Sequence, residues 1–146
     1  MAHEFRKREE EEEIIKRYEE SLKKNLGAFF DIDEYEIIID HYLGKSKHKK
    51  ALAAVTTAMD QYPFSTDLMT LKAQIFTNMG QYADSLEILE QARNLQPTDL
   101  EIFLSIGSIH SLQGKHTEAI IIYEEALQLS EEVHDEIYYN IGLAYQ

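Results

Sequence analysis

The chain has 146 residues, no cysteine, no tryptophan and a formal net charge of -13 at pH 7, a size that suits one domain. The absence of cysteine excludes disulfides, thiolate metal sites and a cysteine nucleophile. No stretch approaches the roughly 20 apolar residues that span a membrane, and the charged start lacks the apolar core of a secretory signal, so we expect a cytoplasmic protein.

Residues 1–31 are predicted to form one charged leading helix. Glu9 to Glu13, followed by Lys16 and Arg17, supply pairs of opposite charge at helical spacing. A narrow apolar stripe runs along the same helix, formed by Phe5, Ile14, Ile15, Tyr18, Leu22 and Leu26. The stripe fits a helix that packs on the first repeat, which we prefer, and also a coiled-coil arm that dimerises, for which few heptads are present.

From residue 32 onward, the sequence repeats with a period of 34 residues, which is visible in three series: Ala58, Ala92 and Ala126; Pro63 and Pro97; and Gly80 and Gly114. A period of this length is typical of a two-helix repeat. We predict helix pairs at 33–43 and 47–62, at 67–79 and 82–95, and at 100–113 and 116–129, with a further helix from residue 135. No strand is expected, because the composition favours helix throughout.

Two kinds of residue mark the predicted helix ends. Gly80 and Gly114 suit the left-handed turn that ends a first helix. Thr98 and Glu101, three residues apart, predict a capping box at the start of the third pair.

The pattern within each period resembles the tetratricopeptide repeat. The third copy carries the resemblance most clearly, with Phe103, Ile106, Gly107, His110, Ala119, Tyr123 and Ala126 at the signature positions. Small residues such as Gly107 allow the two helices of a repeat to approach. The resemblance covers residues 32–146, as repeats 32–65, 66–99 and 100–133 and a partial repeat 135–146. It implies an all-α fold, a right-handed superhelical solenoid of antiparallel helix pairs.

The resemblance also implies a function, a scaffold that holds a peptide segment of a partner protein in the concave groove formed by the first helices. Carried over position by position, the groove residues are Glu36, Asp40, Thr70, Gln74, Thr77, Asn78, Leu104, Ser105, Ser108, Ser111, Tyr139 and Asn140. Chaperone-binding members of the family hold a terminal carboxylate with Lys, Arg and Asn at such positions. This chain has no Lys or Arg there, so we expect a basic or neutral peptide rather than an acidic one.

Other classes of function find little support in the sequence. Within the repeats, positive charge is concentrated in one turn, Lys45 to Lys50, which is not the extended basic surface that binds nucleic acid. The histidines show no two-ligand spacing for a metal, and no phosphate loop or nucleophile elbow is present. We expect neither an enzyme nor a cofactor.

A structural function stays open as the alternative. The chain stops inside a repeat, so we expect a fragment of a larger multidomain protein, in which this segment could serve self-assembly. Tyr138, Ile141, Ala144 and Tyr145 are expected to face outward with no second helix to cover them. A homodimer through this C-terminal helix, or through the N-terminal one, is the corresponding prediction.

Overall fold

The structure, a computed structural model, describes residues 1–130 and 141–145. All the regular secondary structure of these residues is helical, and residues 141–145 are helical too. The named helices are α1 (Ala2–Lys23), α2 (Ile32–Gly44), α3 (His48–Gln61), α4 (Thr66–Asn78), α5 (Tyr82–Leu95), α6 (Leu100–Leu112) and α7 (His116–Leu129). The predicted pairs are confirmed, with ends that differ by no more than one residue. The chain divides into an N-terminal unit, Met1–Ser65, and a C-terminal unit, Thr66–Gln146.

Aromatic rings form the core of the N-terminal unit. Tyr18 of α1 is buried, and its ring meets the rings of Phe30 and Tyr42 edge-on at centroid distances of 6.0 and 6.3 Å. Burial raises the pKa of Tyr18 to about 12, with a smaller contribution from Tyr42. Helix α1 thus packs against α2 through the middle of its apolar stripe, whereas Leu22 and Leu26 of that stripe are exposed.

A capping box fixes the start of α2. The Asp31 side chain accepts a hydrogen bond from the Glu34 backbone N–H at 2.7 Å, and the Asp31 N–H donates to the Glu34 carboxylate at 3.0 Å. Glu34 also pairs with Arg17 of α1 at 2.5 Å. The Asp31 hydrogen bond, and then Arg17, lower the pKa of Glu34. The Asp31 carboxylate thus caps α2, and the Glu34 carboxylate joins the start of α2 to α1 through Arg17.

The turn between the two helices of a pair has the same backbone form in all three described pairs. Ser46, Gly80 and Gly114 have positive φ angles of 56°, 75° and 77°, and they are 34 residues apart. The residue after each of them donates its N–H five residues back, as Gln81 does to Phe76 at 2.8 Å. This is the Schellman pattern, which favours glycine. The two glycines confirm the prediction, and Ser46 adopts the left-handed form without being glycine.

In the C-terminal unit, α4 packs with α5 and α6 packs with α7. Short turns join the members of each pair, so they run antiparallel. Fully or nearly fully buried small residues lie at the contacts, among them Ala73, Ala92 and Ala126. The cap of α6 corrects the prediction, because the side chain of Asp99, and not Thr98, accepts the N–H of Glu101 at 3.0 Å. A carboxylate one residue later supplies the same kind of acceptor.

The C-terminal residues also differ from the expectation. Ala144 is buried in a cluster with Phe103, Ala119, Tyr123 and Ala126, and Ile141 packs against that cluster. The prediction that Ala144 and Ile141 face outward is therefore wrong, because this helix packs on the repeat that precedes it. Tyr145 is 70% exposed, as expected. Tyr138 lies outside the described residues.

The burial of Ala92 leads to a prediction about stability. Ala92 has no exposed surface, so Ala92→Leu should overpack the helix contacts and lower the free energy of unfolding by about 1–3 kcal/mol. Gln81→Leu, at an exposed position, is the control and should have little effect. Urea denaturation followed by circular dichroism measures both, and equal losses would refute the assigned repeat register.

Candidate protein-binding groove

A groove of about 470 Å³ lies within the C-terminal unit, between α4 and α6, with α5 contributing to its floor. Helix α4 lines it with Thr70, Leu71, Ala73, Gln74 and Thr77; α5 with Ser85 and Leu89; and α6 with Glu101, Leu104, Ser105, Ser108, Ile109 and Leu112. Both walls carry apolar as well as polar side chains. Such a lining suits a ligand with both apolar and hydrogen-bonding groups.

The floor of the groove is held by a hydroxyl network. Ser85, which is fully buried, donates to the Ala73 carbonyl at 2.8 Å. Thr77 donates to the same carbonyl at 2.9 Å, and its hydroxyl lies 2.8 Å from that of Ser85. These bonds tie α4 to α5 and satisfy the buried serine. The floor is therefore a fixed surface on which a ligand could rest.

The wall formed by α6 is supported from behind by Tyr123 of α7. The Tyr123 ring is 1% exposed and lies against Gly107, where a side chain would collide with it. The Tyr123 hydroxyl is 3.5 Å from that of Ser108, a residue that also lines the groove. Close packing of α6 on α7 thus positions the polar wall.

Charge in the groove comes from a single lining residue. Glu101 is an exposed carboxylate in the first turn of α6. No Lys, Arg or His is among the groove residues that the described part of the chain provides. The surroundings are acidic as well, since residues 66–146 contain thirteen Asp or Glu and three Lys or Arg. A ligand would meet a negative potential here.

Six of the twelve predicted groove residues come together in this groove, namely Thr70, Gln74, Thr77, Leu104, Ser105 and Ser108. Asn78 and Ser111 belong to the same two helices but do not line it. Glu36 and Asp40 lie on α2, in the N-terminal unit, where burial raises the pKa of Asp40. Tyr139 and Asn140 lie outside the described residues. Whether all twelve bind a partner stays a prediction.

Seven of the thirteen lining residues are not among the twelve predicted ones, namely Leu71, Ala73, Ser85, Leu89, Glu101, Ile109 and Leu112. Ser85 and Leu89 belong to a second helix, whereas only first helices had been assigned to the groove. Glu101 lies one turn before Leu104 and Ser105, so the helical spacing of the α6 wall would have located it. The signal for Ser85 was the period itself, because Ala51 and Ala119 occupy the equivalent buried positions.

Among the described residues, no three His, Cys, Asp or Glu side chains are grouped so as to hold a metal ion. Within residues 1–130 and 141–145, none of the helices combines the length and apolarity that crossing a bilayer requires.

Comparison with known proteins agrees with the geometry. The model of the tetratricopeptide repeat family matches residues 64–132, which include α4 to α7. The F-box/TPR repeat protein pof3 of Schizosaccharomyces pombe is 29% identical over 89 residues, 60% of this chain and 15% of pof3. The chain spans between 9% and 18% of the length of the curated relatives that it matches.

Two solved structures illustrate the shared fold. The crystal structure of MamA has a TM-score of 0.75 at 17% identity, and the match covers 96% of this chain and 80% of MamA. The first TPR of Spaghetti (RPAP3) bound to the HSP90 peptide SRMEEVD has a TM-score of 0.64 at 21% identity, over 74% of this chain and 87% of that one. At these identities the likeness establishes the fold, and the all-α helical-repeat prediction is confirmed.

Proposed function

Because this chain is a tetratricopeptide-repeat protein, we propose that it is a protein-interaction scaffold whose C-terminal unit binds a peptide segment of a partner protein. The observation that carries the proposal is the groove between α4 and α6, with its fixed floor and its mixed apolar and polar walls. From Glu101 to Leu112 this groove follows α6 for about 16 Å, given a rise of 1.5 Å per residue. A segment lying along it would span about five extended residues.

The lining supports an unstructured or extended ligand. Leu71, Leu104 and Leu112 offer apolar contacts, and Leu112 is 60% exposed in the free protein. Between them lie hydroxyl and amide groups that can bond to a peptide backbone. Mixed contacts of this kind give affinity through apolar burial and orientation through hydrogen bonds.

The partner segment is proposed to be basic or neutral. The Spaghetti complex contains a peptide, SRMEEVD, with three acidic side chains. In the present groove, such a peptide would meet Glu101 and no lining Lys or Arg. Like charges brought together at an interface weaken binding and exclude the wrong partner. A peptide of that charge is therefore not expected to bind here.

Groove obstruction tests the proposal. Short random peptides displayed on phage would be selected against the intact chain, and the selected peptides synthesised. Ser105→Trp should weaken their binding by at least about tenfold, because the indole occupies the space between the walls. Gln91→Trp, exposed on α5 and away from the lining, is the control and should bind like the unaltered chain. Selected peptides that bind both variants equally would refute the groove as the site.

Several sequence predictions accompany this proposal without a direct test. A cytoplasmic location, the absence of catalytic activity and the absence of nucleic-acid binding stay predictions. Self-association through α1 or the C-terminal helix is also a prediction, and the exposed side chains of Phe5 and Tyr145 are compatible with it. A structural, self-assembling role as a solenoid segment of a larger multidomain protein stays the alternative proposal.

A further inference from the structure

We infer that the groove selects a partner segment that carries an arginine, whose guanidinium group binds at Glu101 and the neighbouring hydroxyl oxygens. The inference rests on the proposed function and names the side chain that the groove recognises. Three observations carry it: the hydrogen-bonding state of the lining hydroxyls, the single lining carboxylate, and the positions of the unit's own cations.

Three of the lining hydroxyls, those of Thr70, Thr77 and Ser85, have their hydrogens directed to backbone carbonyls. Thr70 donates to the Asp67 carbonyl at 2.9 Å, and Thr77 and Ser85 both reach the Ala73 carbonyl. A carbonyl oxygen can only accept a hydrogen bond, so each of these bonds uses a hydroxyl hydrogen. What these side chains still offer is oxygen lone pairs. Thr70 and Thr77, which are partly exposed, therefore act as acceptors toward a ligand, whereas the fully buried Ser85 stays within the floor.

The carboxylate adds to the same excess of acceptors. Ionised Glu101 has two acceptor oxygens and no donor. The groups that remain able to donate are the Gln74 amide and the hydroxyls of Ser105 and Ser108. A ligand rich in donors is thus matched to the groove. Arginine fits better than lysine, because its planar guanidinium presents five N–H groups and can bond to a carboxylate and a hydroxyl together.

The cations of the C-terminal unit are placed so that Glu101 stays available. Arg93 pairs with Glu90 at 2.7 Å and approaches Glu125 at 3.8 Å. Lys72 lies 5.9 Å from the centre of the Phe76 ring. Lys115 precedes α7, beyond the far end of α6 from Glu101. These three are all the Lys and Arg residues of 66–146, and Arg93 also lies 5.8 Å from the centre of the Phe103 ring on α6. None of the ion pairs among the described residues includes Glu101, so its carboxylate is available to a cation from the partner.

A charge-neutral variant tests the inference. Displayed random peptides would be selected against the intact chain, against Glu101→Gln and against Glu87→Gln. Glu87 is an exposed carboxylate on α5 outside the lining, and its variant makes the same change in net charge. We expect arginine to be enriched at one aligned position with the unaltered chain and with Glu87→Gln, and that enrichment to vanish with Glu101→Gln.

Binding constants of one selected peptide give the decisive comparison. Exchange of its arginine for glutamine should weaken binding about three- to tenfold, and exchange for lysine should weaken it less. With Glu101→Gln the arginine and glutamine peptides should bind alike. If the arginine preference persists in Glu101→Gln, or if no arginine is enriched while Ser105→Trp still abolishes binding, the inference is wrong and the peptide groove stands. If Ser105→Trp has no effect on any selected peptide, the proposed function itself fails.

Discussion

Tyr18→Ala should lower the free energy of unfolding of the N-terminal unit by about 3–5 kcal/mol, the usual loss for a buried aromatic side chain. Tyr18 is 3% exposed and forms edge-on contacts with Phe30 and Tyr42. Removing its ring leaves a cavity in the contact between α1 and α2 and ends two aromatic interactions. Because few buried residues hold α1, its detachment should follow.

The measurement combines urea denaturation with hydrogen exchange. Circular dichroism gives the loss of stability, and exchange of the α1 amides reports the release of that helix. Leu22→Ala is the matched control, since it shortens an apolar side chain of the same helix that is 59% exposed. That variant should lose less than about 1 kcal/mol. Faster exchange of α1 in both variants to the same extent would contradict the assigned packing face.

The helical architecture could be predicted because its signals are local and periodic. A helix pair needs small residues where its axes approach and a left-handed residue where it turns, and both recur every 34 positions. Where a residue other than glycine adopts the left-handed conformation, the sequence gives no signal of the turn. Ser46 adopts a φ of 56° like Gly80, yet serine gives no such indication. The cap of α6 was misplaced by one residue because Thr98 and Asp99 are both good acceptors.

The groove was predictable only in part, because its walls and floor come from different helices. The family resemblance located Gln74 and Ser108 on the first helices, because the repeat period and the helix face are enough to assign these residues to the groove. It did not locate Ser85, whose contribution depends on how deeply α5 lies between α4 and α6. Ala144 was misjudged for the same reason, because its burial depends on Phe103 of α6 and on Ala119, Tyr123 and Ala126 of α7. Packing partners that are distant in sequence leave no mark on a periodic pattern.

Gly107→Leu should lower the free energy of unfolding of the C-terminal unit by about 3 kcal/mol or more. The loss is large because the added side chain would overpack a contact between α6 and α7 that has no room for it. A Cβ on Gly107 would lie 2.5 Å from Cζ and 2.9 Å from Cδ1 of Tyr123. Tyr123 is 1% exposed, so its ring has no open space to enter. Either the ring or α6 must shift, and α6 carries one wall of the groove.

Gly142 provides the control, because it is an exposed glycine in a helical segment of the same unit. A Cβ there meets nothing within 4 Å, and leucine favours helix over glycine by nearly 1 kcal/mol. Gly142→Leu should therefore keep or slightly raise stability, as measured by urea denaturation and by hydrogen exchange of α6 and α7. The Tyr123 ring lies against Gly107 and not against Gly142, so we expect the loss of stability at Gly107 alone. Equal losses at both positions, or no loss at Gly107, would show that α6 and α7 do not approach as closely as the structure places them.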